Sequence, residues 1–91
     1  RAGRYDEAAR TAESALPAAE RLWRTAPAGF RVVGRTPAVV YIRLQAILGH
    51  AQMRAADVTR DVAGVTRALE QFERTMRTAA EARASTGDAG P

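Results

Sequence analysis

Gly3-Arg4-Tyr5-Asp6-Glu7-Ala8-Ala9-Arg10-Thr11-Ala12-Glu13-Ser14-Ala15-Leu16 sets the reading of the whole chain. Its apolar residues Tyr5, Ala8, Ala12 and Ala15 recur at intervals of three and four, with Leu16 beside them. That spacing gathers them on one face of an α-helix. The stripe continues through Ala19, Leu22 and Trp23, so the periodicity predicts a first helix over about 4–25. Pro17 lies inside it and removes the hydrogen bond to the carbonyl of Glu13, which kinks a helix or splits it. Because the stripe keeps its phase across Pro17, one kinked helix is expected.

Working outward, residues 26–36 hold Pro27, Gly29 and Gly34 and read as a loop. Phe30, Val32 and Val33 form an apolar cluster within it, expected to fold back as a plug over the core. Thr36 and Pro37 are a helix start, a cap followed by a proline in the first turn. From there Leu44, Leu48, Ala51, Ala55, Val58, Val62, Val65, Leu69, Phe72 and Met76 alternate steps of four and three. Two architectures share this seam: a helical hairpin turning near 56–61, or one long helix whose heptad face needs a partner. No Pro or Gly interrupts the stretch between His50 and Ala63, which favours continuity. Asp57, Thr59 and Asp61 are residues of first helical turns, and the seam is weak at Ala51 and Ala55. The hairpin is preferred, with helices over about 37–56 and 59–84 and with Asp57 or Thr59 as the cap. The fold class is therefore all-α: an antiparallel bundle of three main helices in one domain over 1–84. Residues 85–91 carry no large apolar side chain and read as a disordered tail.

Composition sets limits on function. The chain has 91 residues, no cysteine and a single histidine. That leaves no disulfide framework and no thiolate metal site, and it fits a cytoplasmic protein. No apolar run reaches the ~20 residues that span a bilayer. The chain starts at Arg1 with neither an initiator Met nor a signal sequence, and so reads as an excerpt of a longer protein. Every basic residue is Arg, and Lys and Asn are absent, which points to a GC-rich genome. The net charge is +4 with a pI of about 11.0, yet the acidic residues are interleaved with the arginines and no basic block stands out.

The stretch Gly3–Leu16 resembles the second helix of a tetratricopeptide repeat, a helical unit of about 34 residues that stacks on its copies. In that resemblance Gly3 makes the turn, and Tyr5, Ala8, Ala12 and Ala15 are buried. A divergent second copy matches in spacing, with Val62, Val65, Leu69 and Phe72 following at an offset of 57 residues. The resemblance implies a fragment of an α-solenoid whose first helix lies upstream. It also implies a non-catalytic interaction scaffold, of the kind that forms the C-terminal part of larger bacterial regulators and signalling ATPases. The core is expected to comprise Tyr5, Ala8, Ala12, Leu22, Trp23, Leu44, Leu48, Val62, Val65, Leu69, Phe72 and Met76.

If the seam faces a neighbouring helix, the opposite side of the second helix shows Arg43, Ile47, His50 and Arg54. Two arginines, a histidine and an isoleucine suit a peptide carrying a carboxylate and one apolar anchor. The alternative is a solvated helix face. His50 has no companion ligands or nucleophile in register, so neither a metal site nor catalysis is expected, and no cofactor. The spacing Gly29 to Gly34 lacks the Lys-Ser or Lys-Thr of a phosphate loop. The expected partner is a protein or peptide, the parent chain itself, or a second copy. A homo-oligomer built on the heptad seam is the first alternative, and a basic nucleic-acid-binding domain the second. No membrane and no small-molecule substrate is implied.

Overall fold

Three helices make up the described residues, 2–85, of a computed structural model: α1 (Ala2–Thr25), α2 (Pro37–Thr59) and α3 (Val62–Ser85). Each is about 35 Å long at 1.5 Å per residue. The fold is all-α, with the second and third helices forming a hairpin. α1 and α3 both pack on α2, and neither approaches the other within 8 Å between Cα atoms. The result is a layer with α2 in the middle, in which each outer helix has one neighbour. The expected tail lies, from residue 86 onward, outside the described residues.

Local sequence accounts for each boundary. α1 runs unbroken through Pro17, and Gly3 lies inside its first turns, not in a turn of its own. Thr36 caps α2, its hydroxyl accepting from the Val39 amide at 3.2 Å, and Pro37 occupies the first turn. The turn into α3 needs no glycine. Arg60 takes the left-handed conformation at φ 59° and ψ 39°. The Asp61 amide then reaches back to the Ala56 carbonyl at 2.9 Å, and the Arg60 amide to that of Asp57 at 3.4 Å. This is the Schellman pattern of helix termination with arginine where glycine is usual. Neither Asp57 nor Thr59 caps α3. Both belong to α2, and the Thr59 hydroxyl donates to the Ala55 carbonyl at 3.0 Å.

The α1–α2 side is packed in the expected phase. Ala12 and Ala19 are buried against α2, as are Leu48 and Ala51 on the facing helix, and Tyr5, Leu22, Trp23 and Leu44 are half-buried. Ala8 departs from the expected core: it is exposed, because it lines the open edge of a trough between α1 and α2.

The α2–α3 side differs. Val62, Leu69 and Met76, expected in the core, are 79%, 55% and 72% exposed, and Val58 is also exposed. Val65 and Phe72 are half-buried. The face α3 turns to α2 is instead Gly64, Ala68, Gln71, Thr78 and Ala82, all buried. At 100° per residue this ridge lies about a third of a turn from the apolar stripe. Close approach explains the choice. A Cβ on Gly64 would meet the Ala56 Cβ at 2.9 Å, and one on Gly49 would meet the Phe72 ring at 2.8 Å. The ridge of small residues brings the backbones together, and Val62, Leu69 and Met76 of the stripe turn outward while Phe72 stays at the edge of the contact. Ala12 and Leu69, equivalent at the offset of 57, thus have opposite environments.

The loop is not a plug. Val32 and Arg35 exchange two backbone hydrogen bonds, of 2.8 and 2.9 Å, around a two-residue turn. Val33 and Gly34 both have positive φ, at 49° and 78°. The turn aims its tip away from the helices, leaving Val33 94% exposed and Phe30 partly so. A β-branched residue in this region stores strain of about 1–3 kcal/mol.

Candidate functional site

The outer crest of α2 carries the four residues singled out from sequence. Arg43, Ile47, His50 and Arg54 are all exposed, Ile47 at 48%. Arg43, Ala46, Ile47 and His50 surround one shallow hollow of about 300 Å³. Arg54 stands apart from that hollow, its guanidinium 5.9 Å from the centre of the Tyr5 ring on α1. Three of the four therefore converge, and the fourth marks where the crest meets α1.

Beside the crest runs the trough between α1 and α2, a groove of about 580 Å³. Ala8, Ala12, Ala15, Leu44 and Ile47 give it an apolar floor, and Arg4, Glu7 and Thr11 border it on α1. Ile47 lines both the trough and the hollow, so the two form one surface. Alanines make the floor wide and shallow; leucines in their place would fill it.

On the other face of the layer, α1 and α3 flank a polar cleft of about 320 Å³. Arg24 spans its mouth, donating to Glu81 of α3 at 2.8 Å and lying 3.7 Å from Glu20. Its guanidinium also sits 4.2 Å above the Trp23 ring, which packs on Tyr41 at a centroid distance of 5.5 Å. The hydrogen bond to Glu81 holds Arg24 above its ordinary pKa. Burial pushes the Tyr41 phenol up, and the nearby Glu20 carboxylate pushes the same way. Gln45, buried at the cleft floor, has no hydrogen-bond partner for its Oε1 among the described residues. On the α3 flank, neither Glu70 with Arg74 nor Glu73 with Arg77 closes to an ion pair. Arg74 donates instead to the Gln71 Oε1 at 3.0 Å.

The charge of the chain is segregated along the sequence. Between Glu20 and Asp57 there is no acidic residue, while Arg21, Arg24, Arg31, Arg35, Arg43 and Arg54 fall in that stretch. All ten carboxylates are confined to the flanking segments. Acids and arginines do alternate on α1 and α3, but α2 has a single carboxylate, Asp57, in its last turns. The overall charge of +4 thus conceals a segregated one. Among the described residues no cluster of three or more His, Asp or Glu side chains could hold a metal ion. No helix there is long and apolar enough to cross a membrane.

No protein-family model, curated protein or solved structure matches this chain.

Proposed function

We propose that this chain is a non-catalytic protein–protein interaction scaffold, a tetratricopeptide-like fragment of a larger cytoplasmic regulatory protein from a bacterium with a GC-rich genome. The observation that carries the reading is the α2 crest, where Ile47 is half exposed between Arg43 and His50 and continuous with an apolar trough. Exposed apolar surface rimmed by charge is the usual footprint of a docking face. The partner is a protein or peptide; no cofactor is invoked. The test is a double substitution, Arg43→Glu with Arg54→Glu, on two exposed side chains. Partners cross-linked to the wild-type chain in cells should be lost from the variant while helicity and thermal midpoint stay the same. Retention of every partner by the folded variant rules the crest out.

A second reading is self-association through α3, favoured by the exposure of Val62, Leu69 and Met76 at seven-residue spacing. Light scattering over a hundredfold range of concentration decides it. A dimer that Leu69→Asp dissociates without unfolding the chain supports this reading, and a monomer throughout removes it. Nucleic-acid binding ranks behind both, because a phosphate backbone makes no use of an apolar trough.

A further inference from the structure

We infer that the trough between α1 and α2 seats an acidic amphipathic helix of about three turns. This rests on the interaction reading above and names the chemistry of the partner. Three observations converge on it: shape, floor and charge.

The trough is concave and lies between two antiparallel helices. Its α1 wall runs from Arg4 to Ala15, about 17 Å at 1.5 Å per residue, which matches three helical turns. A third helix laid in such a groove buries an apolar ridge spaced i, i+3 or i+4, and i+7. An extended peptide would leave much of its wide floor uncovered.

The floor is made of small residues on one side and branched ones on the other. Ala8, Ala12 and Ala15 allow the incoming backbone to come close, while Leu44 and Ile47 supply the bulk to pack against. The matching ridge therefore carries large apolar residues where it faces α1 and small ones where it faces α2.

Charge selects the sign of the rim. Arg4 borders the trough on α1, and Arg43 and His50 border the adjoining hollow on α2, with Arg54 at the Tyr5 end. Among the described residues Glu7 is the one carboxylate lining the trough, and none lines the hollow. None of Arg4, Arg43 and Arg54 is in an ion pair with a described residue. Aspartate or glutamate flanking the ridge would find the Arg4 guanidinium on the α1 wall and that of Arg43 beyond Ile47 in the adjoining hollow, where lysine would meet repulsion.

The test is selection of a displayed library of helix-biased peptides, each about 14 residues long, on the whole chain. The expected winners carry the i, i+3/i+4, i+7 apolar ridge flanked by Asp or Glu. A labelled winner should bind at least tenfold more tightly than its own Glu→Lys version. Its affinity should fall at least tenfold with Ile47→Glu and with Ala8→Glu, both at exposed positions that the fold tolerates, and should weaken as salt rises. No winners, winners without acidic flanks, or binding that survives both substitutions would overturn the inference. So would tighter binding to phosphatidylserine vesicles or to single-stranded DNA than to any selected peptide. The two levels separate cleanly: cellular partners lost with Arg43→Glu/Arg54→Glu but unaffected by Ile47→Glu and Ala8→Glu would keep the scaffold reading and remove the helix from the trough.

Discussion

α2 has two neighbours and packs against them by opposite rules. Toward α1 it meets the apolar stripe that the helical period marks, with Ala12, Ala19, Leu48 and Ala51 buried together and Trp23 lying on Tyr41. Toward α3 it meets a narrow ridge of Gly64, Ala68, Gln71, Thr78 and Ala82, with the Phe72 ring against Gly49, while Val62, Leu69 and Met76 stay outside. The difference teaches that hydrophobicity alone does not orient a helix. Where glycines allow backbones to come within a few ångströms of contact, many short-range dispersion contacts outweigh the burial of a few large side chains. The stripe left over is then available for another partner.

Adjacent residues on α3 test this rule most sharply, and here the largest effect is expected. Ala68 is 0% exposed, so Ala68→Leu forces α2 and α3 apart and should cost about 3 kcal/mol in urea denaturation. Leu69→Ala next to it should cost under about 0.5 kcal/mol, since the side chain is mostly in solvent. If the leucine proved the costlier to lose, the apolar stripe would be the packed face after all. On the other side of α2, Trp23→Ala removes the stack on Tyr41 and the platform under Arg24. About 2 kcal/mol should be lost, roughly half the cost at a fully buried site, because Trp23 is half-buried.

The contrast also marks what the sequence could and could not reveal. Three helices and their loop were legible because period, Pro37 and the Thr36 cap all act locally. The crest of Arg43, Ile47 and His50 was legible for the same reason, being a polar-edged face of α2 about a quarter turn from its seam. The rotation of α3 was not, because the stripe and the ridge of small residues both recur at helical spacing, and the choice between them depends on how near α2 can come. The turn at Arg60 was hidden for another reason. A left-handed arginine carries no composition signal, and glycine is what a reader looks for there. The trough was hidden because it belongs to two helices at once, and alanines that look like core in one helix form a floor between two.

Glycine gives the next smaller test. In an exposed helix Gly→Ala stabilises by about 1 kcal/mol through propensity alone. At Gly64 the new Cβ would lie 2.9 Å from the Ala56 Cβ, an atom fixed to the backbone that cannot swing away. Overpacking of this kind costs about 1–3 kcal/mol, so Gly64→Ala should be net destabilising by about 1 kcal/mol. Gly3→Ala is the control: nothing lies within 4 Å of its Cβ, and it should stabilise α1 by roughly 0.5 kcal/mol. Opposite signs in thermal melts of the two variants would locate the close approach at α2–α3.

The smallest effect belongs to pH, at the end of the layer where α1, α2 and α3 come nearest to sharing a site. Tyr41 is buried there, and its phenol ionises above the ordinary tyrosine value of about 10 because burial disfavours the phenolate and Glu20 repels it. The folded state therefore holds this proton more tightly than the unfolded chain does. The resulting stability is fully present below about pH 10 and is lost as pH rises through the higher value of the folded state. Thermal midpoints followed from about pH 8 to about pH 11 should fall more steeply at the top of that range for the wild type than for Tyr41→Phe, which has no proton to lose. Parallel curves would mean that the phenol is solvated. The Trp23–Tyr41 contact, and with it this end of the α1–α2 interface, would then be looser than the 5.5 Å ring separation implies.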